Sequence, residues 1–453
     1  METAKGSGVP GGLPLVIYPV HVGTHSKKEL EATAHTTIAD QVVRALTVQP
    51  EEASLPPEWD IGQTLFKGTF EEVNEFFHHK EWSDGLPIVP PTLDKVREFL
   101  KFTERAPDEV IGVIKPDHRR ATVWSIAVNG VMSGCRAEYM PVLIALVEAM
   151  ADPGFFVESI GNTPGGEALI ILNGPIIQQL DFNYTQGATR VGFQANTSIG
   201  RFWRLYLRNV AGFLPHKTDK ATFGGTFRVV LAENEDAVRK IGWEPLSVDQ
   251  GFKAGDNVVT VSLCVSCKNL SSVSRGEDPE MALAYIADEM VNQIVYYRLN
   301  YRGVSTRPHL ILTPSIAEFL SKDGFSKADI KRYLYKHARR PEWYWMQINK
   351  WMGDPHRPTP CEYVNKGQLP KDYCESTDPN RLLPMVYSPD DFLIVVSGDP
   401  ARNNAMICDQ NAVHGWTVSK KIKLPPNWGE LLKKAKAEKE ALLKGLNSTF
   451  VHG

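Results

Sequence analysis

Cysteine is scarce in this chain, and long apolar runs are absent. Six cysteines among 453 residues are too few for a disulfide framework, so we expect a reducing cytoplasm. No apolar run approaches the roughly 20 residues needed to cross a bilayer. Residues 1–14 lack the charged-then-apolar order of a secretory signal. The sequence therefore predicts a cytoplasmic protein that does not enter the membrane and that begins with a flexible leader.

Neither sign of charge dominates, and the common nucleotide and hydrolase motifs are missing. A net charge of −3 gives no electrostatic reason to bind nucleic acid or an anionic membrane. The chain contains no Gly-x-Gly-x-x-Gly, Walker, Gly-x-Ser-x-Gly or His-Glu-x-x-His pattern. These absences weigh against common nucleotide enzymes and classical serine hydrolases, and no motif indicates a cofactor.

Strand-like and helix-like segments alternate along most of the chain. Alternation of this kind predicts an α/β fold with mixed, partly parallel sheets and flanking helices. Predicted strands cover residues 13–20, 122–128, 155–160, 168–173, 226–232, 257–264, 309–313 and 390–398. Predicted helices cover residues 26–46, 69–82, 93–102, 141–151, 198–212, 279–299, 315–324, 326–338 and 424–446.

The segments group into three units. Residues 1–68 form a leader and arm with a polar connector at 47–60, and 69–245 form an α/β domain. Residues 246–453 form a second α/β region with an irregular excursion at 341–388 and a C-terminal helix. Segments 123–150 and 258–290 both read as strand, cysteine-bearing loop and apolar helix. This likeness raises the alternative of two related halves.

One cysteine lies at a predicted strand-to-helix junction, in the stretch NGVMSGCRAEYMP that begins at Asn129. A helix N-terminus stabilises a thiolate, and Arg136 would add to that effect beside Cys135. Gly130 and Gly134 would let the backbone approach a ligand closely. We therefore predict Cys135 as a nucleophile or redox thiol with a lowered pKa and Glu138 as its proton carrier, against the alternative of a buried structural cysteine.

Three arginines line one face of the predicted helix 198–212. Arg201, Arg204 and Arg208 have helical spacing, so this face meets either solvent or anionic groups. Arg201 lies in the first turn, where anions bind well. We predict that Arg136, Arg201 and Asn129 bind substrate and that Asp84, in a rigid proline-bearing loop, forms one wall of the site.

Other cysteines and histidines give weaker signals. Cys264 and Cys267 form a Cys-Val-Ser-Cys pattern that suits dithiol redox chemistry or half of a metal site, with simple packing as the alternative. The histidine pairs are His21 with His25 and His78 with His79. If either pair binds a metal ion, the protein would be a metal-dependent hydrolase or lyase, which is the alternative function.

Two apolar segments suggest self-association. The arm 13–46 and the aromatic stretch EWYWMQINKWM (342–352) are more apolar than the surface of a monomer requires. We expect a homo-oligomer formed through one of them.

Five ordered motifs between about residues 70 and 400 carry a resemblance to a known family. They are EWSDGLPIVPPT, NGVMSGCRAEYMPVLIALVEAM, ANTSIGRFWRLYLRNVAG, LAENE followed by WEPL, and SKDGFSKADIKRYLYKHAR. Together they resemble a bacterial family whose members accompany UGSC-type (seleno)proteins, which carry a Sec/Cys-Gly-Ser-Cys motif. The companions are similar to the selenocysteine subunits of glycine-reductase-type enzymes. The resemblance implies thiol or selenol chemistry on a small carbon–heteroatom compound.

These features favour an enzyme, or the substrate-binding subunit of one, that uses cysteine chemistry on a small anionic molecule. The chemistry would be a redox reaction or cleavage of a carbon–heteroatom bond. The alternatives are the metal-dependent hydrolase or lyase and a non-catalytic partner of a thiol or selenol redox protein.

Overall fold

The computed structural model describes residues 14, 16–20, 22–48, 61–225, 229–273, 278–293, 305–351, 357–410 and 415–445. Most of the predicted leader, most of the connector 47–60 and residues 294–299 of one predicted helix lie outside this part. The α-helices are α1 Lys27–Thr33, α2 Ala39–Thr47, α3 Phe70–His79, α4 Leu93–Leu100, α5 Val123–Met132, α6 Met140–Met150, α7 Ile176–Gln179, α8 Gln194–Tyr206, α9 Glu235–Lys240, α10 Leu246–Asp249, α11 Pro279–Gln293, α12 Pro314–Lys322, α13 Lys327–His337, α14 Glu342–Trp351, α15 Pro360–Asn365 and α16 Trp428–Gly445.

The strands form one mixed sheet and two small antiparallel pairs. The strands are β1 Val110–Ile114, β2 Arg119–Thr122, β3 Glu167–Asn173, β4 Val230–Ala232, β5 Val258–Leu270, β6 His309–Leu312, β7 Arg339–Pro341, β8 Leu382–Pro384, β9 Leu393–Val396, β10 Ala405–Gln410 and β11 Val418–Lys421. The main sheet has the order β4-β3-β5-β10-β6-β9, and β11 also pairs with β5. The predicted α/β class, with a partly parallel sheet and flanking helices, is confirmed.

The strand order repeats one topology twice. β3 pairs in parallel with β4 and antiparallel with β5, and β6 pairs in parallel with β9 and antiparallel with β10. The two sets meet at the antiparallel β5–β10 pair. Two related sets of strands therefore exist, within 167–270 and 309–410. The prediction that 123–150 and 258–290 share the order strand, loop and helix is wrong, because residues 123–132 form a helix. One sheet thus joins the units predicted as 69–245 and 246–453.

The sheet curls until its two edge strands meet. The backbone N–H of Asn234, just after β4, donates to the carbonyl of Val396 in β9 at 2.7 Å. The Ser397 hydroxyl donates to the carbonyl of Ala232 at 2.8 Å. A buried cluster fills the concave face, with Leu169, Leu231, Ile311 and Val395 among its members. We call the contact between the ends of β4 and β9 the seam.

Helices cover the outer face of the sheet in two groups. α5, α6 and α8 pack over the β3–β5 side, and α11, α12 and α13 pack over the β6–β9–β10 side. Gly130 of α5 allows close packing, since an added Cβ would lie 2.7 Å from the Phe99 ring and 2.8 Å from Leu143. Gly130 therefore allows helices to pack closely. The prediction that it lets the backbone approach a ligand is wrong.

Three predicted strands are wrong. Residues 123–128 lie in α5, where Thr122 forms the N-terminal cap. Residues 155–160 contain the 3-10 turn Val157–Ser159. The described residues of 13–20 have no regular structure. A continuous apolar run such as VWSIAV fits a buried helix as well as a buried strand, so period alone could not separate them.

Two disulfides correct the reading of the cysteines. Cys267 bonds to Cys408 directly across the β5–β10 pair, and Cys361 bonds to Cys374. The sequence predicts that six cysteines are too few for a disulfide framework, but four of them form two disulfides. Localisation in the cytoplasm rested on that reasoning and stays a prediction. No helix in the described ranges combines the length and the apolar character needed to cross a membrane.

The two segments predicted to mediate self-association expose some of their apolar side chains. None of the residues of α1 and α2 is buried, and Leu46 is 82% exposed. In α14, Trp345 is buried while Trp343 and Trp351 are exposed. Oligomerisation stays a prediction. We expect light scattering to give a mass above the 50.6 kDa of one chain, and a monomer mass at every dilution would contradict it.

Candidate functional site

The Cys135 loop joins two buried helices. α5 ends at Met132, and Gly134 follows with the left-handed φ of +79°. The N–H groups of Gly134 and Cys135 donate to the carbonyls of Val131 and Gly130 at 3.0 and 3.1 Å, which is the arrangement of a glycine-terminated helix. Cys135 therefore lies at the C-terminal end of α5, and the predicted strand-to-helix junction is wrong.

This position reverses the expected electrostatics of the thiol. Cys135 is partly exposed, but it packs against the buried side chains of the helices that cover the β3–β5 side of the sheet. Burial raises the pKa of the Cys135 thiol to about 11, although Ser133, Ser198 and Arg201 act in the opposite direction. A helix C-terminus carries partial negative charge and gives a thiolate no support. The predicted lowering of the Cys135 pKa is wrong.

Two serine hydroxyls converge on the sulfur. The Ser133 hydroxyl lies 3.3 Å from the Cys135 sulfur and 2.9 Å from the carbonyl of Gly130. Ser198 of α8 also acts to lower the pKa of this thiol, and its hydroxyl lies 2.7 Å from the carbonyl of Gln194. The sequence alone identified neither Ser133 nor Ser198 as a neighbour of the sulfur.

Arg201 holds the proline-bearing loop beside this site. Its Nε and Nη2 atoms donate to the two carboxylate oxygens of Asp84 at 3.0 and 2.8 Å. Nη2 also donates to the carbonyls of Leu86 and Pro87. Burial tends to raise the pKa of Asp84, but the hydrogen bonds and charge of Arg201 outweigh it and hold the pKa below its usual range. The structure thus brings Cys135, Arg201 and Asp84 together.

A second ion pair directly follows Cys135 in the sequence. Arg136 pairs with Glu138, whose side chain is almost fully buried. Tyr139 is next to them, and burial raises the pKa of its hydroxyl, which therefore stays protonated. Both predicted anion-binding arginines, Arg136 and Arg201, already hold carboxylates of the same chain.

The remaining predicted residues lie elsewhere. Asn129 is buried in the contact between α5 and the end of α8, where its side-chain oxygen accepts from Asn209 Nδ2 at 2.8 Å. Arg204 pairs with Glu167 at 3.1 Å, and Arg208 donates to the carbonyl of Glu81. The arginine face of α8 therefore meets anionic and carbonyl groups of the protein, which was the alternative to solvent.

Cys264 and Cys267 do not form a dithiol with each other. A register shift in the β5–β10 pair places Cys264 opposite Gln410 and Cys267 opposite Cys408. Cys267 is bonded to Cys408, and Cys264 is a free, buried thiol. Burial, together with the charge of Asp409, raises the pKa of Cys264 well above its ordinary value. The structure therefore favours the packing interpretation for Cys264.

Metal ligation finds no support in the described ranges. No three histidine, cysteine, aspartate or glutamate side chains within them lie close enough together to hold an ion. His21 of the first predicted pair lies outside the described residues.

Sequence reasoning missed a buried carboxylate at the seam. Glu233 Oε2 accepts from Asn173 Nδ2 at 2.6 Å and from the Leu246 N–H at 2.8 Å. Its Oε1 accepts from the Val396 N–H at 3.2 Å. Glu233 is 1% exposed. One side chain thus links β3, α10 and β9 where the sheet edges meet.

Glu235 supports the same joint. Its carboxylate accepts from the Gly174 N–H at 2.6 Å and from Asn173 Nδ2 at 3.1 Å, and a cavity of about 110 Å³ lies beside it. The available signal was LAENE (231–235), in which two acidic residues directly follow an apolar strand. Carboxylates that follow a strand and precede a helix are candidates for buried caps or for sites.

Comparison of the chain with protein-family models, with curated proteins and with solved structures finds no match.

Proposed function

We propose that this protein carries out thiol chemistry at Cys135 on a small molecule, as an enzyme or as the substrate-binding subunit of one. The observation that carries the proposal is a free, partly exposed cysteine whose sulfur lies 3.3 Å from the Ser133 hydroxyl and whose thiolate Ser198 and Arg201 also favour. A cysteine that serves only packing needs none of these three groups around it.

The serine hydroxyls can respond to the charge of the sulfur. Each has a single proton and lies near both the sulfur and a helix carbonyl, that of Gly130 for Ser133 and that of Gln194 for Ser198. Hydroxyl protons rotate to suit their acceptors. With a neutral thiol the hydroxyls donate to the carbonyls, and with a thiolate they can turn to donate to the sulfur. Such donors stabilise charge only when it develops, as catalysis requires.

The paired arginines bear on the kind of substrate. Asp84 and Glu138 already neutralise Arg201 and Arg136, so an anion beside Cys135 would have to displace a carboxylate. We therefore propose a small substrate that is uncharged where it meets the sulfur. Glu138 keeps its proposed role as proton carrier, because it is the carboxylate nearest in sequence to the thiol.

The resemblance to the companions of UGSC-type proteins supports the reaction class. It suggests a carbon–heteroatom compound as substrate and a thiol or selenol redox protein as partner. In this proposal the Cys135 thiolate attacks the carbon that bears the heteroatom. A carbon–sulfur bond forms as the carbon–heteroatom bond breaks, and the heteroatom leaves with the bonding electrons and takes up a proton.

The double variant Ser133→Ala, Ser198→Ala tests the proposal. We expect its Cys135 to react with 2,2′-dithiodipyridine at pH 8 at least about tenfold more slowly than in the unchanged protein, since a hydrogen bond to a charged group is worth about 1.5–3 kcal/mol. The measurement is the rate of thiopyridone release, with the modified residue identified by peptide mass spectrometry.

Ser321→Ala is the matched control, because its hydroxyl caps the carbonyl of Ile241 far from Cys135 in sequence. Its rate should equal that of the unchanged protein. An unchanged rate in the double variant as well would show that the hydroxyls do not stabilise the thiolate, and the proposal would then lose its main support.

A further inference from the structure

A groove of about 410 Å³ lies on the second half of the molecule, between α11 and the β7–α14 junction. Its volume is in the range of about 300–1,000 Å³ that is typical of small-molecule sites. Ala284 and Ala287 of α11 line the groove with small side chains. Arg340, Trp343 and Tyr344 line the opposite side.

Two arginines of β7, Arg339 and Arg340, line the groove. Arg340 donates to the side-chain oxygen of Asn292, and its guanidinium lies 4.2 Å from the centre of the Tyr344 ring. Arg339 donates to the carbonyls of Tyr335 and Leu382. Within the described part of the chain neither forms an ion pair, in contrast to Arg136, Arg201 and Arg204. Their positive charge is therefore available to a ligand.

An exposed aromatic ring lines the same groove. Trp343 is 50% exposed, although its backbone is fixed by a hydrogen bond to the carbonyl of Pro379 at 2.9 Å. Asp288 is the one carboxylate among the lining residues. The flat ring of a ligand can lie against the Trp343 indole. A carboxylate of the same ligand can replace Asn292 as the acceptor for Arg340, because the planar guanidinium group matches the geometry of a carboxylate.

We propose that this groove binds a small aromatic carboxylate, with its ring against Trp343 and its carboxylate on Arg340. The site shares no residue with the Cys135 loop. It therefore goes beyond the proposed thiol chemistry, and either proposal can fail without the other.

The test is calorimetric titration of the full chain with naphthalene-2-carboxylate at low ionic strength. We expect saturable binding with one ligand per chain. The neutral analogue naphthalene-2-methanol should bind at least about tenfold more weakly, and so should the carboxylate to Arg340→Met, because each change removes a charge-assisted hydrogen bond.

Arg97→Met is the control, because Arg97 is an exposed arginine on α4 and should leave the affinity unchanged. Circular dichroism establishes that Arg340→Met is folded, and the comparison of acid with alcohol on the unchanged protein does not depend on any variant. Failure of the unchanged protein to bind the carboxylate would overturn the proposal. Equal affinity for acid and alcohol, or undiminished affinity in a folded Arg340→Met protein, would overturn it too.

Discussion

Glu233→Ala is expected to destabilise the protein by at least about 3 kcal/mol, because it leaves buried N–H donors without an acceptor. The backbone N–H groups of Leu246 and Val396 lose the Glu233 carboxylate as acceptor, and Asn173 keeps its hydrogen bond to Glu235. The seam between β4 and β9 should open first. Chemical denaturation followed by circular dichroism measures the loss, and Glu244→Ala, on an exposed glutamate, should change stability by less than about 0.5 kcal/mol. A loss below about 1 kcal/mol in Glu233→Ala would contradict this role.

The pH dependence of the same residue has a definite sign. Burial raises the pKa of Glu233, against the opposing effects of the Lys327 charge and the N–H donors. A carboxyl whose pKa is higher in the folded than in the unfolded state stabilises fully below the unfolded value of about 4.3 and loses that contribution as the pH rises through the folded value. The stability advantage of the unchanged protein over Glu233→Gln should therefore shrink as the pH rises above 4.

Cys135 is expected to react with iodoacetamide at neutral pH roughly two orders of magnitude more slowly than an unperturbed cysteine, because thiolate is the reacting form. A pKa of about 11 leaves that much less thiolate near pH 7. The rate should keep rising to about pH 11. Mass spectrometry of timed samples between pH 7 and pH 11 gives the profile, and this expectation replaces the fast labelling implied by a helix N-terminus.

Cys135→Ser supplies the control, since it should remove this slow, pH-dependent label and leave the rest of the chain unlabelled under native conditions. Cys264 is buried and should react only after unfolding. A Cys135 that labels at the rate of a free cysteine at pH 7 would show that its thiol is not desolvated.

Local signals in the sequence predicted local structure well. Ser26 and Thr92 are of the residue types that favour helix caps, and both accept a backbone N–H of the helix that follows. The strands predicted at 168–173, 257–264, 309–313 and 390–398 are confirmed as β3, β5, β6 and β9. A helix cap depends on residues three positions apart, and the signal for a strand flanked by turns depends on fewer than about ten residues. This information therefore lies within a short stretch of sequence.

The grouping of candidate residues was partly within reach as well. Asp84 and Arg201 are 117 positions apart, and they meet beside Cys135. Their separate motifs suggested a site, but nothing in either motif showed that each would neutralise the other.

What the sequence alone determined is therefore the α/β class, the positions of the long helices and of several strands of the main sheet, and the grouping of Arg201 and Asp84 with Cys135. The tertiary structure decided the chemical state of those residues. Cys135 has a raised pKa because burial against neighbouring helices desolvates its thiol. Glu233 became a buried joint because Val396, 163 positions away, returns at the other edge of a curled sheet. Burial and charge pairing depend on which distant segments meet, and a single sequence does not encode those contacts in any local pattern.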